Sequence, residues 1–241
     1  MNTFNKNLGY QQRGLAMPIA RTYLANVFSW MFLALGITAA TSWLFAGSPN
    51  LMSILINPET GSMSIMGWIA MLAPFGLVIW MSAGFQRMSA STMVLVFIAY
   101  SVLMGISLSF IFLAYTGASI ATTFLITSGM FGSMAILGYT TKTDLTKFGS
   151  IMIMGVFGII IASVVNMFMG SSTLDLIISI GGVLVFTGLT AYDVQKLKRI
   201  GSQINTENDT TRKMTIMGAL TLYLDFINLF LFLLRLFGNR K

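Results

Sequence analysis

Long apolar runs separated by short polar breaks dominate the chain. Seven stand out, at residues 23–46, 65–83, 91–115, 120–139, 148–169, 174–195 and 214–237. Each holds about 19–25 residues, and a helix of roughly 20 apolar residues crosses a hydrocarbon core about 30 Å thick. The runs are continuous and do not alternate polar with apolar, which predicts helices and not the strands of a barrel. The first is too long for the apolar core of a cleaved leader, about 7–15 residues, and reads as a retained helix. Two breaks are longer than the others. Residues 47–64 carry Pro49, Pro58 and Gly61, and residues 196–213 are polar and charged. The pattern shows no boundary between domains: residues 1–22 read as a cytoplasmic tail, and 23–241 as one seven-helix transmembrane domain.

Composition agrees with the pattern. Of 241 residues, 56% are hydrophobic and 9% charged, against about 25% charged in an ordinary soluble domain. The expected fold class is an all-α, multi-pass membrane protein. Cysteine and histidine are absent, which removes disulfides, thiol nucleophiles, the usual zinc ligands and histidine proton relays. A hydrolytic enzyme is not expected, nor is a cofactor.

The formal net charge of +7 is better explained by loop bias than by nucleic acid. Lys6, Arg13 and Arg21 precede the first run. Arg87 lies in the second connection, Lys142 and Lys147 in the fourth, and Lys196, Lys198, Arg199, Arg212 and Lys213 in the sixth. The first, third and fifth connections have none. Seven spans put all these cations on one side, and the positive-inside rule makes that side and the N-terminus cytoplasmic. Arg235, Arg240 and Lys241 then fall outside, unless the last run re-enters and returns. A full span is favoured, because the run is long and has no proline.

Seven residues are acidic; Glu59, Asp144, Asp175, Glu207 and Asp209 sit in connections or at the ends of runs, and Asp193 and Asp225 stand within apolar runs. A charge at the centre of a spanning helix costs about 2.5–3.5 kcal/mol on insertion scales, so such residues face a bundle interior or a wet cavity. Gly218, Thr221, Asp225 and Asn228 recur at helical spacing and share one face, as do Ser179, Gly182, Thr190 and Asp193. Facing stripes of small and polar residues pack closely and would bring the carboxyls together. Two adjacent carboxylates in a low dielectric do not both ionise cheaply. Such a pair is a pH sensor built without histidine; ionised, it offers hard oxygen to a cation. Calcium wants six to eight oxygens, so carbonyls, Asn228 or water would complete the shell.

The spacing leaves an offset between the two carboxyls of about five residues, or about 7 Å of helix. A second reading makes Asp193 a wet residue paired with Lys196 one turn on. Gly129, Gly132, Gly155 and Gly158 read as close-packing positions, and the 19 methionines as core or lipid-facing filler.

Three stretches carry a resemblance: GLTAYDVQKLK at 188–198, with Tyr192, Asp193 and Gln195 as its core; TKTDLTKFG at 141–149; and LYLDFINLFLFLLRLFG at 222–238. On these the chain resembles the Bax inhibitor family (transmembrane Bax-inhibitor-motif proteins), in its bacterial branch, over nearly its whole length. The resemblance implies seven helices, the last central between two three-helix layers. It implies a pH-sensitive calcium leak of the bacterial inner membrane, with Asp193 and Asp225 as the sensing pair and calcium as the ion transported. Arg87 matches a basic latch on that pair. The outer carboxylate that would guide cations is missing from the second span, and Asp175 is the substitute.

Three functions are therefore carried forward. The first is the calcium leak, with calcium and protons as partners beside the lipid bilayer. The second is a regulator of a membrane AAA protease, with the N-terminal tail as handle. The third is a proton-coupled cation exchanger, which paired carboxylates would serve equally well.

Overall fold

The computed structural model describes the backbone of residues 3–204, 206 and 208–241, and side chains from residue 22 onward save at 205 and 207. Its elements are α1 (Thr3–Gly47), α2 (Pro49–Leu55), α3 (Ile65–Ala83), α4 (Ala90–Leu108), α5 (Ile111–Ala114), α6 (Gly117–Thr140), α7 (Thr146–Met169), α8 (Ser172–Gln203) and α9 (Asp209–Phe237). Seven segments are long and apolar enough to cross a membrane: Thr22–Gly47 of α1, then α3, α4 with α5, and α6 through α9. This is a seven-helix membrane fold, and α9 is its most enclosed helix, 67% buried over its apolar window against 6% for α7. The side chains of residues 1–21 lie outside those described, and so do the cations expected there.

Local chemistry sets the helix ends. Ser64, Ser89 and Ser171 accept from the backbone N–H of Gly67, Thr92 and Leu174, which satisfies donors that a first turn leaves free. Gly170 closes α7 with a left-handed φ of 61°, a conformation a side chain would strain.

The structure corrects the sequence reading at three connections. The break at 47–64 holds a short helix, α2, started by Pro49 at its first position. The third run is interrupted at Ser109 and Phe110, between α4 and α5. The sixth break is far shorter than 196–213, because α8 continues to Gln203 and α9 begins at Asp209. Lysine, arginine and glutamine are good helix formers, and charge outside the bilayer gives a helix no reason to stop. The last run is one unbroken helix of 29 residues, about 44 Å long, enough for a full span.

Two compact units divide the chain, one of residues 1–26, 118–207 and 224–238, the other of 27–117, 208–223 and 239–241. In the first, α6, α7 and α8 pack with the C-terminal half of α9. Phe226 of α9 meets Phe124 and Phe131 of α6 edge to face, with ring centroids 5.2 and 5.5 Å apart. Phe232 stacks on Phe186 of α8 at 5.8 Å. Near the start of α8, Asp175 binds Arg235 at 3.1 Å; that carboxylate is thus committed to a cation of its own chain.

In the second unit, the first turns of α9 fasten the turn between α3 and α4. Lys213, buried, donates from Nζ to the Phe85 carbonyl at 3.1 Å, and Asp209 accepts from Ala90 N at 3.2 Å. The chain end is tied down as well: Lys241 donates through its backbone N to Ala114 O at 3.0 Å and through Nζ to Phe112 O at 2.8 Å. Two of the C-terminal cations that seemed anomalous by charge bias are thus engaged, Arg235 by a carboxylate and Lys241 by carbonyls.

Candidate functional site

Asp193 and Asp225 belong to the same unit, and their carboxyl groups lie close enough to act on one another. Both are buried, 8% and 5% exposed. Two carboxyls brought together at low dielectric do not both ionise cheaply, and a proton between them relieves the repulsion. Asp225 Oδ2 has no hydrogen-bond partner among the described residues. The contact forms despite the offset read from the sequence. The connection 204–208 has five residues, which reach about 17 Å when extended, more than an offset of that size needs.

Asp193 is buried, although the charge of Lys196 one turn on acts on its carboxyl. Lys196 is exposed and stands 5.9 Å from the centroid of the Tyr192 ring. Among the described residues the close ion pairs are Arg199–Asp144 and Arg235–Asp175, and Lys196 is in neither.

What holds Asp193 in place is the close approach of α6 and α7 to α8. A methyl group on Gly138 of α6 would collide with the backbone of Ala191, and one on Gly149 of α7 with the Tyr192 ring. Tyr192 therefore serves as a packing surface immediately before the aspartate. Just beyond it, Gln195 accepts from Leu145 N at 2.9 Å and donates to Thr143 O at 2.8 Å. Lys198 donates to Tyr139 O at 2.6 Å and lies over that ring. Arg199 binds Asp144 at 3.0 Å. The end of α8 thus clasps the whole connection between α6 and α7.

The other candidates are placed differently. Asn228 is half-buried and spends its amide on the Leu224 carbonyl at 2.8 Å, which leaves its side-chain oxygen available. Arg87 is exposed in the turn after α3 and belongs to the second unit. Asp175, as substitute outer carboxylate, is already paired. Among the described residues no three His, Cys, Asp or Glu side chains cluster to hold a metal ion. Two carboxyls alone fall short of the six or more oxygens that a resident calcium needs.

The glycine reading needs correction. Added methyl groups at Gly129, Gly132 and Gly158 would meet nothing within 4 Å, and of the four glycines named only Gly155 contacts a neighbouring helix, at Val185. The glycines that pack at the Asp193 segment are Gly138 and Gly149, together with Gly188, which abuts Phe148 and Met152. Gly149 and Gly188 stand inside the quoted motifs, which was the available signal.

Similarity to known proteins agrees with this architecture. The profile of the family described as "Inhibitor of apoptosis-promoting Bax1" matches residues 20–241. Inner membrane protein YbhL of Escherichia coli (strain K12) is 49% identical over 222 residues, 92% of this chain and 93% of that one. An uncharacterized protein of Borreliella burgdorferi is 46% identical over 223 residues, 92% and 94% of the two chains. An uncharacterized membrane protein of Streptococcus pyogenes is 33% identical over 219 residues, 90% and 92%. With seven spanning helices and a family profile matched over nearly its full length, this multi-pass inner-membrane protein belongs to the Bax inhibitor family, in its bacterial branch.

Proposed function

We propose that the protein is a pH-sensitive cation leak, with calcium as its cargo, gated by the proton that Asp193 and Asp225 share. The observation that carries the reading is the juxtaposition of these two buried carboxyls. While the proton is shared, it draws α8 and α9 together. Its loss leaves two negative charges in contact at low dielectric, where like charges repel strongly. The helices then separate, and the ionised oxygens become hard ligands for a passing divalent cation. Tyr192 and Gln195 hold the Asp193 segment in register, Asn228 lends an oxygen, and Arg87 is the proposed latch. Its turn is fastened to α9 through Lys213 and Asp209. The orientation we propose puts the N-terminus and the tail of residues 1–22 in the cytoplasm.

Calcium flux into proteoliposomes with a trapped indicator, at about pH 6 and pH 8, tests this directly. Wild type leaks faster at the higher pH; Asp193→Asn, Asp225→Asn and the double variant lose the pH dependence. No calcium flux at either pH sinks the leak reading and leaves regulation of a membrane protease as the reading to pursue. Flux stimulated by a counter-ion gradient would indicate an exchanger instead.

A further inference from the structure

The second unit holds a cluster of buried hydroxyls that the leak does not use. Thr38 and Ser42 come from α1, Tyr100 and Ser101 from α4, and Tyr223 from the midpoint of α9. None is more than 4% exposed. Counting protons fixes the direction of the hydrogen bonds. Thr38 has one hydroxyl proton and donates it to the Ser101 carbonyl at 2.9 Å. The 2.8 Å contact between Thr38 Oγ1 and Tyr223 Oη therefore uses the tyrosine's proton, and Tyr223 keeps its acceptor capacity. Ser101 donates to Phe97 O at 2.8 Å. Two hydroxyls are left over: Tyr100 Oη and Ser42 Oγ have no partner among the described residues.

Tyr100 Oη does not reach a partner by a small slide of the helices. A Cβ added to Gly105 of α4 would lie 2.7 Å from the Thr38 carbonyl oxygen, so α1 and α4 are already in backbone contact. The Tyr100 ring is wedged edge to face against Tyr223, centroids 5.4 Å apart. Lipid tails offer no hydrogen bond at this depth, and a buried unsatisfied hydroxyl is costly. The group that completes such a site must accept a proton from Tyr100 and donate to the spare lone pairs of Tyr223 or Thr38. It must also be small and neutral, because the cluster has no ionised side chain to balance a charge.

We infer that this cluster is a binding site for structural water in the membrane interior, with Tyr100 as its principal donor. Bound water of this kind makes about three hydrogen bonds to otherwise unpaired buried groups. The inference is independent of any transport activity.

The test is a high-resolution map of the full chain in nanodiscs, for wild type and Tyr100→Phe, with thermal unfolding of both. Tyr100→Phe keeps the ring and removes the donor alone. We expect ordered density within hydrogen-bonding distance of Tyr100 Oη that is lost in the variant, with an apparent Tm lower by about 2–4 °C. Absence of that density overturns the proposal. So does a Tyr100→Phe chain that melts at the same or a higher temperature, as deletion of a dry, unpaired hydroxyl would.

Discussion

Asp144 illustrates why a single exposed carboxyl would not serve as the proposed pH sensor. Hydrogen bonds from the Thr146 hydroxyl and backbone, then from Arg199, lower it from 3.8 to about 2. Its folded value lies below its unfolded one, so its contribution to stability is complete above about pH 4 and is lost as the pH falls through 2. Between pH 6 and 8 its charge is constant. Asp144→Asn is therefore expected to leave the flux ratio between pH 6 and pH 8 unchanged, whereas Asp225→Asn removes it; a shifted ratio in Asp144→Asn would contradict this assignment. The two membrane aspartates were legible in the sequence because every other acid stands in a connection or at the end of an apolar run. Their contact was not, since it depends on the register of two helices. Nor was the role of Gln195, whose backbone partner Leu145 is 50 positions away.

Among the elements, α8 is held by close approach on one side and by a polar clasp at its end. Gly138→Ala forces its methyl into the Ala191 backbone, which cannot give way as a flexible side chain would. We expect a destabilisation of about 1–3 kcal/mol and, on the proposed gating, a shifted pH midpoint for flux, because α8 carries Asp193. Gly129→Ala meets open space and should change stability by no more than about 1 kcal/mol, in the favourable direction of helix propensity. Apparent Tm of the two variants measures both; equal losses would refute the distinction. Gln195→Ala gives up two hydrogen bonds to the connection before α7 and should lower Tm by about 2–4 °C. Sequence alone could not sort these glycines. In a bilayer the lipid-facing side of a helix is as apolar as its packed side, so hydrophobic periodicity no longer tells them apart.

For the whole molecule, the number of spans was legible from run length, because a bilayer imposes a minimum that a soluble core does not. The ends of α8 and α9 were not, since charged residues mark the edge of the bilayer and not the end of a helix. Orientation is testable without background, as the chain has no native cysteine. A cysteine at Ser62 should react with an impermeant maleimide on intact cells, and one at Lys147 only after the membrane is opened; the reverse pattern would invert the topology. The length of α8 then bears on physiology. From Asp193 the helix runs about 15 Å to Gln203 but about 32 Å back to Ser172. On the proposed orientation the shorter path leads to the cytoplasm. The device would then report the acidity of the cell's interior, and acid in the medium would leave it unmoved for as long as the cytoplasm stays buffered.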